Sequence, residues 1–408
     1  MTPVRLRGSA GVLRDVALVS AGRYGQYVIT LVTIPLCARV LGPAGMGLLA
    51  VAMSTYFLGA LFTDLGITAF TAARVGRPGL DRLRGDYAGL RCAALGVFAA
   101  LFALTVVLPV PRGVEMAALG LVVGSVSASG EDWVLIGAQR FGAVVLQQTA
   151  GRVVYLVLLV TILPRVRTPE AAMACLLAGG VVAVAWSWAR TVRDYGRPAR
   201  PRPPVALLRT GAPVLAARLL SSTYGPSAAT VFSPALSPHS LGLFSASDRP
   251  VHAAGSLLDA VGMSLLPRLA RRADGEFWAV ARRTVVVVAA GGVGLAAAAT
   301  VLAPWAVPLV FGAAFDDAVP LLQVQAWALP GLAVASFVAT AVLPVRDDAR
   351  GVLLVGAVGA VVIAVALLVA MRTHDPLTVV LGVVAAQTAA AGFSVLRVRR
   401  LESAGAAA

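Results

Sequence analysis

The sequence predicts an all-α integral membrane protein of about twelve transmembrane helices, arranged as two parallel six-helix bundles. Three observations predict it. First, 59% of the 408 residues are hydrophobic and only 13% charged, with a mean hydropathy of +0.85, whereas soluble domains are about 45–50% apolar and about 25% charged. One water-soluble core cannot hold that excess, so much of it must face lipid. Second, the apolar residues fall in blocks of roughly 20, the length a helix needs to cross a bilayer. Third, an arginine- and proline-rich stretch near the midpoint separates two halves that share a weak internal repeat.

The apolar blocks lie near 16–38, 47–73, 87–110, 114–136, 142–163, 170–189, 211–233, 240–266, 284–309, 319–344, 351–371 and 377–395. The connections between them are short, so consecutive spans run antiparallel. The basic segment before Arg14 runs straight into a full-length span, which reads as no cleavable signal peptide. Cys37, Cys92 and Cys175 all fall inside predicted spans and read as small apolar fillers, with neither a disulfide framework nor a metal-ligand spacing.

The formal net charge of +15 comes from 34 basic residues, all arginine. Their distribution speaks for topology and not for nucleic acid. With the N-terminus in the cytoplasm, 24 arginines lie on cytoplasmic segments and five (Arg39, Arg112, Arg165, Arg167 and Arg372) on the opposite face. Positive charge is retained on the cytoplasmic side of membrane proteins, so both termini are expected inside, in a plasma membrane. The domains expected are 1–189, a cytoplasmic Arg/Pro-rich linker at 190–210, and 211–408.

The repeat supports that division. "VLGPAGMGLL" at 40–49 resembles "ALSPHSLGLF" at 235–244, an offset of 195 residues. The same register places Pro43 on Pro238, Gly47 on Gly242, Arg23 on Arg218 and Asp64 on Asp259. Identity over 17–66 is nine positions in fifty; the weight rests on two coincident intramembrane charged pairs. Both repeats start from the same side, as parallel repeats do.

At these residues the chain resembles a known family. "PLCARVLGPAGMGLLAVA" followed by "FTDLGITAF" resembles the first two helices of polysaccharide-biosynthesis flippases of the Wzx type, within the multidrug, oligosaccharidyl-lipid and polysaccharide exporter superfamily. "WVLIGAQRF" at 133–141 is similar to the family's fourth-to-fifth helix junction, 241–272 to its eighth helix, and 309–330 to its ninth-to-tenth connection. The resemblance implies a MATE-like fold, two six-helix lobes around a central cavity, and a lipid-linked oligosaccharide as substrate. A bacterial plasma membrane and partners such as a glycan polymerase and glycosyltransferases follow from the same resemblance. One departure stands out: "STYGPSAATVF" at 222–232 lacks the acidic residue usual near the end of the seventh helix, which weakens any ion-coupling role borrowed from there.

Charged side chains at membrane depth cost about 2.5–3.5 kcal/mol each on insertion scales, so they usually face a cavity or a partner. In the first helix Ser20, Arg23, Gln26, Thr30 and Thr33 fall within about 140° at helical spacing. That stripe is either a cavity wall or a set of interhelical hydrogen bonds. Arg23 and Arg218, equally deep in the two halves, would suit substrate phosphate groups, because guanidinium forks match phosphate oxygens. Arg249 binds substrate or neutralises its neighbour Asp248 locally. Arg152, following Gln147 and Gln148, lines the cavity or snorkels, and Arg91 is expected to snorkel. Asp64 and Asp259 read as gating or lobe-locking salt-bridge residues ahead of ion coupling.

No catalytic constellation is visible. His239, His252 and His374 are scattered, and no phosphate-binding glycine loop is present. No cofactor is expected, and the protein reads as a transporter and not an enzyme. A glycan polymerase or transferase would need large outer loops, and every outer loop here is short. An ion-coupled small-molecule exporter of the same superfamily is the alternative within transport, less suited to a cavity rich in arginine.

Overall fold

The computed structural model describes residues 9–269, 274–346 and 348–406, and every regular element among them is helical. The chain packs into two compact units, one of residues 1–41 and 51–216 and one of residues 42–50 and 217–408.

The first unit opens with α1, Ser9–Asp64, which carries two of the predicted spans as limbs on either side of a kink at Gly42 (φ 65°, ψ −179°). Only glycine takes that backbone conformation without strain. The second limb ends at Asp64, where Leu65 (φ 52°) and Gly66 (φ 67°) turn the chain through the left-handed region, as helix C-termini commonly do. The short α2, Thr68–Ala72, follows. Next come α3, Leu80–Val107, and α4, Arg112–Ala128. After them stand α5, Asp132–Gly137, and α6, Phe141–Val166. The last long helix of the unit is α7, Pro169–Tyr195. Thr168 caps α7 by accepting from the Ala171 N–H, with Pro169 at the first helical position, the preferred place for a proline.

The face pattern of α3 inverts that of a soluble helix. Arg84, Tyr87 and Arg91, at helical spacing, are buried, whereas Val97, Leu101, Leu104 and Val107 are exposed, Val107 by 81%. Polar groups inward and valines and leucines outward are what lipid as solvent selects.

The connection between the halves is less of a free linker than the composition suggests. Residues 190–195 complete α7, and α8, Val205–Ser222, begins within the expected linker. Between them the extended stretch docks on α3: the Ala199 N–H donates to the Asp81 carbonyl at 3.0 Å, and the Arg202 N–H to Asp86 Oδ1 at 2.8 Å.

The second unit holds α9, Ala228–Phe232, and α10, Pro238–Leu269. Helix α11, Asp274–Phe311, leads through a 3₁₀ turn at Ala313–Phe315 into α12, Ala318–Gln325. Helix α13, Ala328–Phe337, passes through a π-helical turn at Val338–Val342 into α14, Leu343–Val345. Two long helices close the unit, α15, Ala349–Thr373, and α16, Pro376–Ala406. The predicted seventh span, 211–233, is therefore two helices, α8 and α9, broken around Gly225 and Pro226. The core of the unit gathers Phe277, Trp278, Val338, Leu343 and Ala390, with the Arg346 guanidinium stacked 4.2 Å over the Phe277 ring.

Among the described residues nine helices are long and apolar enough to cross a membrane. They make the chain a multi-pass membrane protein.

The 195-residue register has a physical counterpart inside the second unit. A Cβ added to Gly47 would stand 1.8 Å from the Pro238 carbonyl oxygen, and one added to Gly242 would stand 1.9 Å from the Pro43 carbonyl oxygen. Each repeat's glycine receives the other repeat's proline carbonyl. Two equivalent segments crossing about a local twofold axis produce this reciprocity, and only glycine leaves room for it.

Candidate functional site

Two polar clusters are built into the spans of the first unit. The larger ties α3 to the turn before α5 and to the end of α7. Arg84 donates from Nε to Glu131 Oε1 at 2.8 Å and from Nη2 to Glu131 Oε2 at 2.6 Å. Its Nη1 donates to the Gly196 carbonyl at 2.9 Å, at the start of the connecting stretch. Thr191 donates to Glu131 Oε2, and the Glu131 N–H donates to Ser187 Oγ at 3.0 Å. Arg84 and Glu131 are each 1% exposed. A bidentate geometry with a further hydroxyl donor on the carboxylate is what makes a desolvated ion pair tolerable.

The second cluster centres on Asp64, at the end of α1. Its Oδ1 accepts from Thr68 Oγ1 at 2.7 Å, from the Tyr87 hydroxyl at 2.7 Å and from Arg91 Nη2 at 2.9 Å. Arg91 Nη1 donates to the Gly130 carbonyl at 2.6 Å, and its guanidinium sits 3.8 Å from the Tyr87 ring centroid. The expected snorkelling of Arg91 is therefore corrected. The side chain is buried because a carboxylate, a carbonyl and an aromatic face await it inside the unit. Asp64 makes an ion pair, to a helix arginine and not to a loop arginine.

Arg152 contrasts with both. It is half-buried in α6, midway along a span of 26 residues. The ionisable groups acting on it are the phenols of Tyr56, on the second limb of α1, and Tyr155. No carboxylate partners it among the described residues. Gln147, one turn earlier on α6, is buried with its amide oxygen unbonded.

In the second unit Arg249 is half-buried on α10, and its Nε donates to Ser245 Oγ at 3.1 Å. Asp248 does not rely on Arg249 alone: it accepts from Gln325 Nε2 at 2.6 Å and faces His252 Nε2 at 3.4 Å. Arg218 stands exposed on α8. Arg23, Gln26 and Thr30 fall within α1, and Asp259 within α10, but their side chains lie outside the described residues. The facing of Arg23 and Arg218, and the equivalence of Asp64 and Asp259, lie outside them too.

Arg84 lies just before the predicted third span, 87–110, and the sequence alone gives it no role. Its partner Glu131 lies 47 residues away, so neither helical spacing nor neighbour charge flags the pair. The available signal was Glu131 itself, an acid inside a predicted span that requires a buried cation somewhere. The cysteines are free, Cys37 and Cys175 buried and Cys92 exposed.

Against known proteins, residues 12–272 match the family described as polysaccharide biosynthesis protein. No curated protein matches the sequence. Among solved structures, the lipid II flippase MurJ in an inward closed conformation superposes with a TM-score of 0.73 at 13% identity, over 94% of this chain and 87% of that one. An inward-facing multidrug resistance MATE family transporter of the MOP superfamily gives 0.62 at 16% identity, over 91% of each chain. A MOP superfamily transporter from Pyrococcus furiosus, described as having a binding pocket of reversed polarity, gives 0.56 at 15% identity over 97% of this chain and 96% of that one. At such identities the likeness establishes the fold, which is MATE-like.

Proposed function

The chain belongs to the polysaccharide biosynthesis protein family, and on that premise we propose that it is a flippase. It moves a polyprenyl-diphosphate-linked oligosaccharide from the cytoplasmic to the outer leaflet of a bacterial plasma membrane. The observation that carries this reading is Arg152. The arginines of the first unit's two buried clusters are each neutralised by a carboxylate, whereas among the described residues the ionisable groups acting on this one, midway along its span, are tyrosines. A cation with no carboxylate partner among the described residues, held at such cost, suits an anionic cargo that supplies the missing charge, and a diphosphate supplies more than one.

The repeat extends the reading. Arg23, Arg218 and Arg249 complete the anion-binding set, with Gln26 and Thr30 as hydrogen-bonding partners for sugar or phosphate oxygens. A diphosphate cannot enter a low-dielectric cavity unpaired, since burying an isolated charge costs far more than a hydrogen bond returns. Arginines already held there offset that cost. The lipid tail remains in the bilayer while the sugars cross between two six-helix halves, 1–189 and 211–408, joined on the cytoplasmic side by the stretch at 190–210. Rocking of the halves exposes the site to each leaflet in turn. Asp64 with Arg91, and Asp259 by repeat, act as the locks at the cytoplasmic ends. A glycan polymerase and glycosyltransferases work on either side of the step. MurJ, whose fold this chain shares, is described as a lipid II flippase. The alternative of a drug exporter fits the same fold but not the surplus of arginine over acid on the candidate site.

Complementation of a flippase-deficient strain, with membrane expression measured alongside, tests this. Arg152→Ala and the Arg23→Ala/Arg218→Ala double variant should lose activity while remaining in the membrane. Arg→Lys variants should keep the charge, lose the bidentate fork and give partial activity. Full activity from all the Ala variants would remove these arginines from the mechanism.

A further inference from the structure

The polar network between α10 and α12 uses residues for which the flippase reading has no role. Asp248 Oδ1 lies 2.6 Å from the side-chain nitrogen of Gln325. The other end of that amide, Gln325 Oε1, lies 2.6 Å from Ser247 Oγ. Ser247 Oγ is in turn 2.8 Å from the Phe244 carbonyl. Gln325 and Ser247 are fully buried. Asp248 Oδ2 faces His252 Nε2 at 3.4 Å, one helical turn on, with the His252 side chain 33% exposed and that of Asp248 16%.

Ser247 has one hydroxyl proton and two acceptors within reach, and this redundancy is informative. With Asp248 ionised, the Gln325 amide donates to the carboxylate, and the Ser247 hydroxyl donates to Gln325 Oε1. With Asp248 protonated, the amide turns over. The carboxyl O–H then donates to Gln325 Oε1, the amide nitrogen donates to Ser247 Oγ, and the Ser247 hydroxyl turns to the Phe244 carbonyl. Each arrangement uses the same heavy-atom distances and keeps the chain of hydrogen bonds from Asp248 to Ser247 closed, because an amide presents a donor at one end and an acceptor at the other. A fixed donor such as a backbone N–H cannot follow a proton onto the oxygen it binds, whereas this amide can.

We propose that Asp248 is a proton-binding site of the second unit, with Gln325 and Ser247 as a reversible relay and His252 as the more exposed partner beside it. The reaction is one proton added to Asp248 Oδ1, the oxygen that faces Gln325, with nothing else gained or lost. The charge in the cluster changes by one, while the hydrogen bonds linking Asp248, Gln325 and Ser247 are kept.

The surroundings leave this pair to decide the local charge. Beside Asp248 in the chain, Arg249 is the other cation acting on it. Of the elements packed on α10, neither α9, α12 nor α13 carries a charged residue, nor does the π-helical turn at Val338–Val342. The charges of α11 (Asp274, Glu276, Arg282 and Arg283) lie in its first ten residues. Those of α16 (Arg397, Arg399, Arg400 and Glu402) lie in its last ten. On α10 itself, His239, Asp259 and Arg268 stand toward its two ends. The segment 42–50 of α1, in the same unit, has no charged residue.

The proposal holds whatever cargo the protein carries, and its test reads protons directly. The full chain, reconstituted in phosphatidylglycerol vesicles, is titrated from alkaline to acidic pH while the infrared C=O stretch of protonated carboxyl groups is followed. Wild type should gain one band on acidification that Asp248→Asn lacks. Gln325→Leu should shift its midpoint by tenfold or more in proton concentration, because the relay can no longer reverse. If Asp248→Asn fails to fold, Asp248→Glu serves in its place and should move the band's frequency. Identical titration spectra from wild type and the Asp248 variant, or a midpoint that Gln325→Leu leaves unmoved, would overturn the proposal and show a fixed structural staple. A negative result in a flipping assay with this titration intact would count against the cargo and not against the proton site.

Discussion

Arg84 is a residue whose charge is carried entirely out of solvent, and its environment states what its removal does. The side chain is 0% exposed and that of its partner Glu131 2%, so truncating it leaves a buried carboxylate with only the Thr191 hydroxyl. Breaking such a pair costs about 3–5 kcal/mol, whereas replacing both partners with apolar groups of similar volume is often neutral. Arg84→Ala should therefore lower the unfolding temperature in detergent sharply, and Arg84→Met with Glu131→Leu should recover most of it. Asp348 offers a pH-dependent counterpart outside the spans. It caps α15 through the Gly351 N–H, and Arg397 donates to it at 2.7 and 2.9 Å. The Arg397 hydrogen bonds hold its carboxyl below the usual carboxylate range. A carboxyl with a lowered folded value stabilises the fold above its unfolded value, about 3.9, and loses that contribution as pH falls through the lowered one. The stability gap between wild type and Asp348→Asn should be constant above about pH 5 and close below about pH 3.9. At this scale the sequence is least legible. Arg84, Arg91 and Asp248 find partners 47, 27 and 77 residues away, and no local pattern encodes such distances.

The elements were more legible, for a physical reason. In lipid each backbone polar group must be satisfied within its own helix, so an apolar block of sufficient length determines its element almost alone. Helices stand on every apolar block, from α3 on 87–110 to α16 on 377–395. What escaped is what happens inside a span. The break between α8 and α9, the π-helical turn after α13 and the docking of 196–204 on α3 depend on neighbours, and composition does not contain neighbours. The repeat is the exception, since Pro43, Gly47, Pro238 and Gly242 were aligned by sequence and are in reciprocal contact in the structure. Gly47→Ala and Gly242→Ala should each destabilise the second unit, by about 1–3 kcal/mol or more, because the atom in the way is backbone oxygen and cannot rotate aside. Nearly equal losses, measured by thermal unfolding in the same detergent, are expected of equivalent positions. A large loss from one and none from the other would break the equivalence.

At the scale of the whole molecule, composition established a membrane protein and the ordered motifs established its family, while cargo and direction rest on a handful of arginines. Of these, Arg152 was legible as a charge in a span, but its want of a carboxylate partner among the described residues was not, because partners are a property of three dimensions. Orientation is open to a simple check: cysteine introduced at position 200 in a cysteine-free background should be protected from impermeant maleimide in intact cells and labelled after lysis. The central claim, that the protein carries a polyprenyl-diphosphate-linked oligosaccharide across the bilayer, is tested most directly in proteoliposomes. The full chain is reconstituted with a fluorescent lipid-linked oligosaccharide in both leaflets, and an impermeant glycosidase is added outside. The account predicts that the protected inner-leaflet fraction disappears with time in vesicles holding the wild-type protein and persists with Arg152→Ala. Protection equal to that of protein-free vesicles would contradict it.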